Sequence, residues 1–312
     1  MPLDAITVLD GGMGRELLRI GAPFRQPEWS ALALLEAPDF VRRVHDSFIA
    51  AGAEVITTNT FAVAPFHIGE ARFSALGGSL AELAGRLGRD AVAASLRDNV
   101  RLAGSLPPVF GAYRPDLFRA EAAPAILSVL VEGLEKHVDF WLAETLSSIA
   151  EARVAYEAAV VRYPKPFWVS FTLEDQAFDA VAAGKIDPRL RSGESIADAA
   201  SAAVELGAEA LLFNCSHASV MEAAVRQAAD AFSRLGATTR IGVYANAFVP
   251  ETNDGEVLAN EGLSELRRDL DPRAYLSFAN RWKDAGASII GGCCGVGPDH
   301  IAALSKALHP TN

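Results

Sequence analysis

The chain has 312 residues, half of them hydrophobic, and its formal net charge is −11. Such a charge argues against a protein that binds nucleic acid or an anionic membrane, because both partners are themselves negative. Three cysteines, an odd number, do not make a secreted disulfide framework and are typical of a reducing compartment. The sequence shows neither a signal peptide nor an apolar run of roughly 18 residues, so we expect a cytoplasmic protein.

Short apolar runs alternate with longer amphipathic stretches from one end of the chain to the other. The predicted strands are Ile6–Leu9, Glu54–Thr57, Arg101–Ala103, Phe140–Ala143, Phe167–Phe171, Ala210–Phe213, Ile241–Tyr244 and Ser288–Gly291. The predicted helices are Pro38–Ala51, Leu80–Asn99, Ala122–His137, Ser148–Val161, Ser195–Leu206, Ser219–Leu235, Pro272–Ala285 and Pro298–Leu308. Eight strands, each followed by a helix, indicate an α/β protein with a (β/α)8 TIM barrel; a doubly wound open sheet is the alternative.

No linker divides the chain, so we expect a single domain over residues 1–312. Two long segments without predicted regular structure, Leu173–Gly193 and Phe248–Asp271, follow the fifth and seventh strands. They should lie over the carboxyl-terminal mouth of the barrel, where long loops are often functional. Barrel enzymes assemble their sites there, and polar or reactive residues follow the strands at these places: Asp10, Thr60, Ser105, Glu144, Thr172, Asn214, Asn246 and Cys293.

The most distinctive stretch is Gly291-Gly292-Cys293-Cys294-Gly295, at the end of the last predicted strand, and the third cysteine, Cys215, follows the sixth strand. Thiolates at the ends of two buried strands converge naturally on one soft metal ion. Three protein ligands with one open position are typical of catalytic zinc. The neighbouring glycines let backbone and substrate approach the sulfurs closely. Ordinary buried cysteines and a Cys293–Cys294 disulfide are the competing interpretations.

Six segments, taken in chain order, resemble the zinc-dependent homocysteine S-methyltransferase family: DGGMGRELLRIG, GAEVITTNTF, AGSLPP, VDFWLAETLSS, LLFNCS and GASIIGGCCGVGPDHI. The family includes enzymes that use betaine or S-methylmethionine and the homocysteine domain of cobalamin-dependent methionine synthase. The NCS and GGCCG pieces are the most specific part of a resemblance that runs from Asp10 to Ile301. It implies a barrel, Zn²⁺ on Cys215, Cys293 and Cys294, and homocysteine as the methyl acceptor.

Five residues at strand ends are candidates for the homocysteine site. Asp10 and Glu144 match family positions used for homocysteine, and as carboxylates they suit its ammonium group, so we expect both to be catalytic and substrate-binding. The alternatives are an Asx-turn or helix cap for Asp10 and a cap on the following helix for Glu144. Backbone amides of the turn at Gly11, together with Thr60, are candidates for the substrate carboxylate. Asn214 is expected to orient a neighbouring loop or a zinc-bound sulfur.

The methyl donor is the part of the reaction that the sequence determines least. The chain ends soon after its last helix, without the extension through which the betaine enzyme tetramerises. We therefore expect S-methylmethionine first, S-adenosylmethionine second and betaine negligible. The Ala245–Pro250 loop departs from the family's usual version, which leaves another small onium donor open. An onium cation would suit an aromatic wall, and the aromatic residues in or near mouth loops are Trp29, Phe61, Phe66, Tyr113 and Phe248.

Two other functions compete with methyl transfer. A zinc hydrolase should gather histidines and carboxylate ligands at the mouth, which this sequence does not do. His217, two residues after Cys215, is not expected to be a ligand, because the two residues would compete for the same metal. A non-catalytic zinc- or thiol-binding protein would need the cysteines but not Asp10 and Glu144. We expect small-molecule substrates, no nucleic-acid or membrane partner, and a monomer or small homo-oligomer.

Overall fold

Eight parallel strands form the centre of the fold. In the computed structural model, which describes residues 6–249 and 264–309, they are β1 (Thr7–Val8), β2 (Val55–Thr57), β3 (Arg101–Leu106), β4 (Phe140–Leu146), β5 (Phe167–Phe171), β6 (Ala210–Asn214), β7 (Arg240–Tyr244) and β8 (Ile289–Ile290). They pair in the order β1-β8-β7-β6-β5-β4-β3-β2. Between β1 and β2 the ring closes through a parallel bridge from Leu9 to Val55. The predicted TIM barrel is confirmed, and the open sheet is wrong.

Helices surround the barrel. They are α1 (Met13–Arg19), α2 (Ala31–Glu36), α3 (Pro38–Ala50), α4 (Pro65–Ile68), α5 (Glu70–Ser95), α6 (Ala123–Leu134), α7 (Ile149–Ala159), α8 (Phe178–Ala182), α9 (Ile196–Glu205), α10 (Ala218–Leu235), α11 (Pro272–Asp284) and α12 (Pro298–Leu308). Each of the eight predicted helices has its counterpart. The short helices α1, α2, α4 and α8 were not predicted, because so few residues show no readable period. Within the described ranges, no helix combines the length and apolarity needed to cross a lipid bilayer.

Helix α5 begins well before the predicted start at Leu80. Its first half contains Gly77 and Gly78, and glycine weakens an isolated helix, so the sequence pattern underestimates this element. Packing explains glycines in both halves: a Cβ on Gly77 would lie 3.3 Å from Val129 of α6, and two glycines of the second half lie closer still to other elements. A Cβ on Gly88 would lie 2.7 Å from Leu102, and one on Gly85 would lie 2.9 Å from His137. The helix therefore lies close against its neighbours, and tertiary contacts offset its poor propensity.

The two long mouth segments contain more regular structure than predicted. Leu173–Gly193 includes α8, and an antiparallel bridge from Leu173 to Leu190 closes it into a compact loop. In the second segment, predicted over Phe248–Asp271, Phe248 forms an antiparallel bridge with Leu266. Residues 250–263 of that segment lie outside the described residues.

Apolar side chains fill two layers on either side of the strands. Along β4, Phe140 and Leu142 belong to a small cluster, whereas Trp141 and Ala143 belong to a large one that also includes the helices. Because side chains alternate across a strand, the small cluster fills the inside of the barrel. Phe140 and Trp168 contact each other there, with ring centroids 4.4 Å apart. Described apolar side chains thus fill the inside of the barrel beneath its mouth.

The hydroxyl of Tyr275 ties an outer helix to the ends of two strands. Tyr275 lies on α11 and is fully buried, and its Oη is 2.7 Å from the carbonyl oxygen of Gly291 and 3.3 Å from that of Ala245. These carbonyls begin the loops that follow β8 and β7. One phenol thereby holds the origin of the Cys293–Cys294 loop against the neighbouring strand.

We predict that Tyr275→Phe lowers the free energy of unfolding by about 1–3 kcal/mol, because the buried Gly291 carbonyl loses its donor. Denaturant unfolding measures this change. Tyr156→Phe is the matched control, since Tyr156 packs edge-on against Phe167 and its hydroxyl has no hydrogen bond to a described residue. Equal stability of the two variants would show that the Tyr275 hydroxyl does not hold the strand ends.

Candidate active site

A polar layer lies on top of the apolar interior, at the carboxyl ends of the strands. A side chain two positions beyond an interior residue points inward again. Four such pairs, apolar then polar, are Ala103 and Ser105, Leu142 and Glu144, Trp168 and Ser170, and Leu212 and Asn214. All four polar members are buried. The strand pattern therefore delivers polar groups to the mouth of the barrel, where the sequence predicts the site.

Asp10 lies two residues after β1 and is held by the neighbouring strand β2. Its Oδ2 accepts a hydrogen bond of 2.8 Å from the backbone amide of Thr57, and its Oδ1 accepts one of 3.2 Å from the Thr57 hydroxyl. The N-cap of α1 is Gly12, which makes no side-chain hydrogen bond. Asp10 is therefore neither an Asx-turn nor a helix cap, and its carboxylate is fixed across the barrel wall.

Glu144 lies within β4, two residues before the strand ends. The Ser105 hydroxyl donates to its Oε1 at 2.5 Å and the Tyr244 hydroxyl donates to its Oε2 at 3.1 Å. Helix α7 is capped by Ser148 in a capping box with Glu151, so capping does not explain Glu144. Hydroxyls from β3 and β7 fix this second carboxylate.

Both carboxyl groups have strongly raised pKa values. Burial, with a smaller contribution from the nearby charge of Glu144, raises the pKa of Asp10 to about 8. Burial also raises the pKa of Glu144 to about 7, with a contribution from the charge of Cys215. Among the described residues, no cationic side chain forms an ion pair with either carboxylate. A ligand that carries a positive charge would offset this repulsion, and both groups would then ionise.

The backbone beside Glu144 is strained, and Asn214 holds it in place. Thr145 has a φ of +61°, which is unusual for a β-branched residue, and the register between β4 and β5 shifts between Ala143 and Leu146. The Asn214 Oδ1 accepts from the Thr145 amide at 3.1 Å, and its Nδ2 donates to the Thr145 hydroxyl at 2.9 Å. Bulges next to active sites often re-aim a side chain. Asn214 thus acts on the site through the backbone beside Glu144.

The three cysteines come together at the mouth. Their sulfur atoms all lie within 4.8 Å of one another, and the Sγ atoms of Cys215 and Cys294 are 3.9 Å apart. Ligands around tetrahedral zinc, with Zn–S bonds of about 2.3 Å, are separated by about 3.8 Å. Each cysteine is a free thiol, so the alternative of a Cys293–Cys294 disulfide is not seen. The cluster has the size that one metal ion requires.

Acidity within this cluster also favours a cation. Hydrogen bonds from Cys293 and Cys294 lower the pKa of Cys215 well below its usual value. Those same contacts raise the pKa values of Cys293 and Cys294 well above theirs. The cluster of three cysteines therefore loses one proton readily, whereas loss of the next two protons is unfavourable. A divalent cation among three sulfurs would offset that cost, and softer metals prefer such ligands.

Close contact between two loops explains the glycines. A Cβ on Gly12 would lie 2.6 Å from the carbonyl oxygen of Cys293, and the Gly12 amide donates to the carbonyl oxygen of Val296 at 2.9 Å. The backbone amide of Gly292 donates to the carbonyl oxygen of Asp10 at 3.0 Å. The carboxylate of Asp10 and the sulfurs of the cysteine loop are therefore brought to one place by backbone contacts.

The two residues predicted to bind the substrate carboxylate differ in availability. The Thr60 hydroxyl donates to the carbonyl oxygen of Ser105 at 2.8 Å and lies 2.9 Å from the Thr58 hydroxyl, so it already shapes the loop after β2. The backbone amide of Gly11 has no hydrogen bond to a described residue. Gly11 remains the better placed of the two.

Aromatic residues at the mouth occupy three kinds of environment. Trp29 packs on Phe24, and both Phe61 and Phe66 pack on His67. Phe248 lies under the Arg15 guanidinium, 5.4 Å from its ring centroid. Tyr113 differs from these residues, because its hydroxyl donates to the sulfur of Cys215 at 2.9 Å. The sequence marked Tyr113 only as a mouth aromatic and contained no signal for this contact.

His217 does not belong to the sulfur cluster. Its Nε2 lies 2.7 Å from the Arg267 guanidinium, and its Nδ1 accepts from the Ser219 amide at 3.3 Å. Burial, with the Arg267 charge, lowers the pKa of His217 to about 4. Within the described ranges, the one group of potential metal ligands is Cys215, Cys293 and Cys294. The histidine and carboxylate cluster expected of a zinc hydrolase is absent from those ranges.

Comparison with known proteins identifies the family. The sequence model of homocysteine S-methyltransferase matches residues 7–308. The chain belongs to the homocysteine S-methyltransferase family. Homocysteine S-methyltransferase 1 of Zea mays is 29% identical to it, over 96% of this chain and 94% of the maize protein. The resemblance seen in the sequence is confirmed, and the protein is a methyltransferase.

Solved structures of this family agree with the fold and with a metal centre. The oxidised form of the homocysteine methyltransferase MmuM from Escherichia coli has a TM-score of 0.76 at 26% identity, covering 97% of this chain and 96% of that one. Its metallated form has a TM-score of 0.72 at the same identity and the same coverage. The family is zinc-dependent, so Zn²⁺ is confirmed as the cofactor, and the three-sulfur cluster fits it.

We predict that Asp10→Asn and Glu144→Gln raise the stability of the ligand-free protein at pH 9. Each folded-state pKa lies above the ordinary value of 3.8 or 4.5, so the folded chain keeps a proton that the unfolded chain has lost. The penalty grows as pH rises from about 4 and is complete above about 8. Thermal unfolding should show a gain of a few kcal/mol at pH 9 and much less at pH 5. Asp230→Asn, at an exposed position, is the control. Equal responses of the control and the two variants would contradict the burial argument.

We also predict that Cys215→Ala, Cys293→Ala and Cys294→Ala each lose tightly bound zinc, because two sulfurs cannot complete a site built for three. Metal analysis after gel filtration gives the zinc content per chain. Asp10→Asn and Glu144→Gln are controls that should retain zinc. Full zinc content in any cysteine variant would remove that residue from the ligand set.

Proposed function

We propose that this protein transfers a methyl group from S-methylmethionine to the sulfur of homocysteine, with zinc held by Cys215, Cys293 and Cys294. One observation carries the proposal: two buried carboxylates that form no ion pair with any described residue share the barrel mouth with a cluster of three thiols. A ligand with an ammonium group and a thiol a few carbons apart suits both halves. Homocysteine is such a ligand, and the family and its relatives are named for it.

The ammonium end of homocysteine is assigned to Asp10 and Glu144. Thr57 orients the first carboxylate, and Ser105 and Tyr244 orient the second, so neither has to reorganise when the ligand arrives. Binding a cation lowers both pKa values, and the site therefore releases protons near neutral pH. We assign the substrate carboxylate to the backbone amide of Gly11, with Thr60 shaping the loop beside it.

The thiol end is assigned to the sulfur cluster. Zn²⁺ bound to three cysteines would supply a fourth position that makes an incoming thiol ionise. Asn214 would hold the backbone beside Glu144, and Tyr275 would hold the origin of the Cys293–Cys294 loop. These residues keep the ammonium site and the sulfur site at a fixed separation, which places the acceptor sulfur without further cost in entropy.

Methyl transfer itself needs little from the protein beyond placement. A lone pair on the homocysteine sulfur forms a bond to the donor methyl carbon, while the bond from that carbon to the sulfonium sulfur breaks. The electron pair of the broken bond stays on the departing thioether. An anion and a cation thereby become two neutral thioethers, and a water-poor site favours a reaction that removes charge. With S-methylmethionine as the donor, both products are methionine.

The choice of S-methylmethionine rests on chemistry and on the mouth loops. A sulfonium is a better methyl donor than a quaternary ammonium, so its reaction needs less activation by the residues of the donor pocket. S-adenosylmethionine is the second candidate and betaine the weakest. Two described aromatic residues are tied to the sulfur loops: the Tyr113 hydroxyl donates to the Cys215 sulfur, and Phe248 follows Ala247, whose amide donates to the carbonyl oxygen of Cys294.

The decisive experiment incubates zinc-loaded protein with isotopically labelled homocysteine and one donor at a time, at equal concentrations. Labelled methionine, measured by mass spectrometry, distinguishes the acceptor product from methionine left by the donor. We expect the fastest initial rate with S-methylmethionine, a slower one with S-adenosylmethionine and negligible product with betaine. Fastest turnover of betaine would overturn the donor assignment, and no labelled methionine with any donor would overturn the function.

Two variants serve as internal checks of the acceptor site. Asp10→Asn and Glu144→Gln should keep zinc but weaken homocysteine binding by 30-fold or more, as expected when a buried charge loses its partner at about 2–5 kcal/mol. Calorimetric titration without donor measures this affinity. Unchanged homocysteine affinity in both variants would remove the carboxylates from the ammonium site.

A further inference from the structure

Tyr113 makes a contact with the sulfur cluster that the chemistry above does not use. Its hydroxyl lies 2.9 Å from the sulfur of Cys215, well within hydrogen-bonding distance for sulfur. Tyr113 belongs to the loop between β3 and α6, far from Cys215 in the chain. The contact is therefore made by the fold, and it reaches a sulfur assigned above as a metal ligand.

Both partners in this contact have an unusual backbone conformation. Tyr113 has a φ of +63° and Cys215 a φ of +47°, in the left-handed region that residues other than glycine seldom adopt. Such conformations persist only where surrounding contacts enforce them, and they are concentrated at functional sites. The loop around Tyr113 is tightly shaped, since Gly111 has a φ of +120° and a Cβ there would lie 3.1 Å from Phe66.

A second set of contacts fixes the Tyr113 ring from its other side. The Arg191 guanidinium lies 5.0 Å from the ring centroid, and Arg191 pairs with Asp175 at 2.5 Å. The Asp175 carboxylate accepts from the backbone amide of His217 at 2.8 Å. His217 lies two residues after Cys215. The contacts thus form a closed ring that begins and ends at the Cys215 loop and joins the loops after β3, β5 and β6.

The Tyr113 hydroxyl is the donor in this contact, because a cysteine sulfur that binds a metal as a thiolate has no proton to give. A hydrogen bond donated to a thiolate takes up part of its negative charge, and partners of this kind tune the ligand and the metal that it holds.

We propose that Tyr113 is a positioning residue of the metal centre, which donates a hydrogen bond to the Cys215 sulfur and is itself held by Arg191. The inference rests on the proposed metal assignment to Cys215, Cys293 and Cys294. It adds a polar contact that moderates how strongly one cysteine sulfur donates electrons to the metal. Tyr113→Phe is the sharp test, because it removes the hydroxyl and keeps the ring over which Arg191 lies.

Two readouts that need no turnover test this assignment. The first is zinc affinity by chelator competition, which should fall about tenfold in Tyr113→Phe, as is typical when a hydrogen-bond partner of a metal ligand is removed. The second is the sulfur-to-cobalt charge-transfer band of Co²⁺-substituted protein. It should move to lower energy, because a sulfur without its hydrogen bond holds its lone pair less tightly. Arg191→Met should shift both quantities in the same direction but less.

Tyr156→Phe is the matched control, because it deletes a phenol hydroxyl that packs far from the cluster against Phe167. The inference would be overturned if the charge-transfer band and the zinc affinity of Tyr113→Phe were identical to those of wild type and of Tyr156→Phe. Lower zinc affinity without any change in the band would also overturn it, since that result indicates a structural effect. Failure of the wild-type protein to bind Co²⁺ would instead remove the metal assignment on which the inference rests.

Discussion

Repulsion among acidic groups is the constraint on which the site depends. Asp10, Glu144 and the three cysteines share the barrel mouth. The raised pKa values of Asp10 and Glu144 mean that ionising either carboxyl group costs free energy. In a folded protein such an arrangement opposes stability, and it persists because the barrel around it is well packed. Under the proposed function, the ammonium group of homocysteine offsets the repulsion between the carboxylates, and a divalent metal offsets the repulsion among the sulfurs.

Holding these groups in place requires a rigid backbone, and the structure provides it with few side chains. Asn214 fixes Thr145 with two hydrogen bonds, and Thr145 follows Glu144 directly. Tyr275 spans the ends of β7 and β8 from the outside. Glycine residues let the loops after β1 and β8 contact each other directly, so that no gap remains between their backbones. Strain at Thr145 and Cys215 is therefore located where placement matters most.

Much of this was readable from the sequence, for identifiable reasons. Eight buried strands with polar residues at their ends predict a barrel, because the alternation of apolar strands with amphipathic helices can be read along the whole chain. Cys215, Cys293 and Cys294 were predicted together because strand ends converge at the mouth, and the structure brings their sulfurs within 4.8 Å. The true start of α5 was missed, since its glycines are explained by packing against other elements. The contact of Tyr113 was not predicted for a similar reason: its partner, Cys215, is distant in sequence, and no local pattern indicates a hydrogen bond to sulfur.

Pairing of β1 with β8 has a consequence for how the protein is made. The Asp10 loop and the Cys293–Cys294 loop lie at opposite ends of the chain, and they contact each other only after the ring of strands has closed. During synthesis Asp10 and Cys215 leave the ribosome long before Cys293 and Cys294 have been made. Of the three sulfurs in the cluster, a growing chain therefore offers a metal only that of Cys215 until Cys293 and Cys294 have been made. The cluster of three sulfurs is therefore completed only when the last strand has joined the barrel.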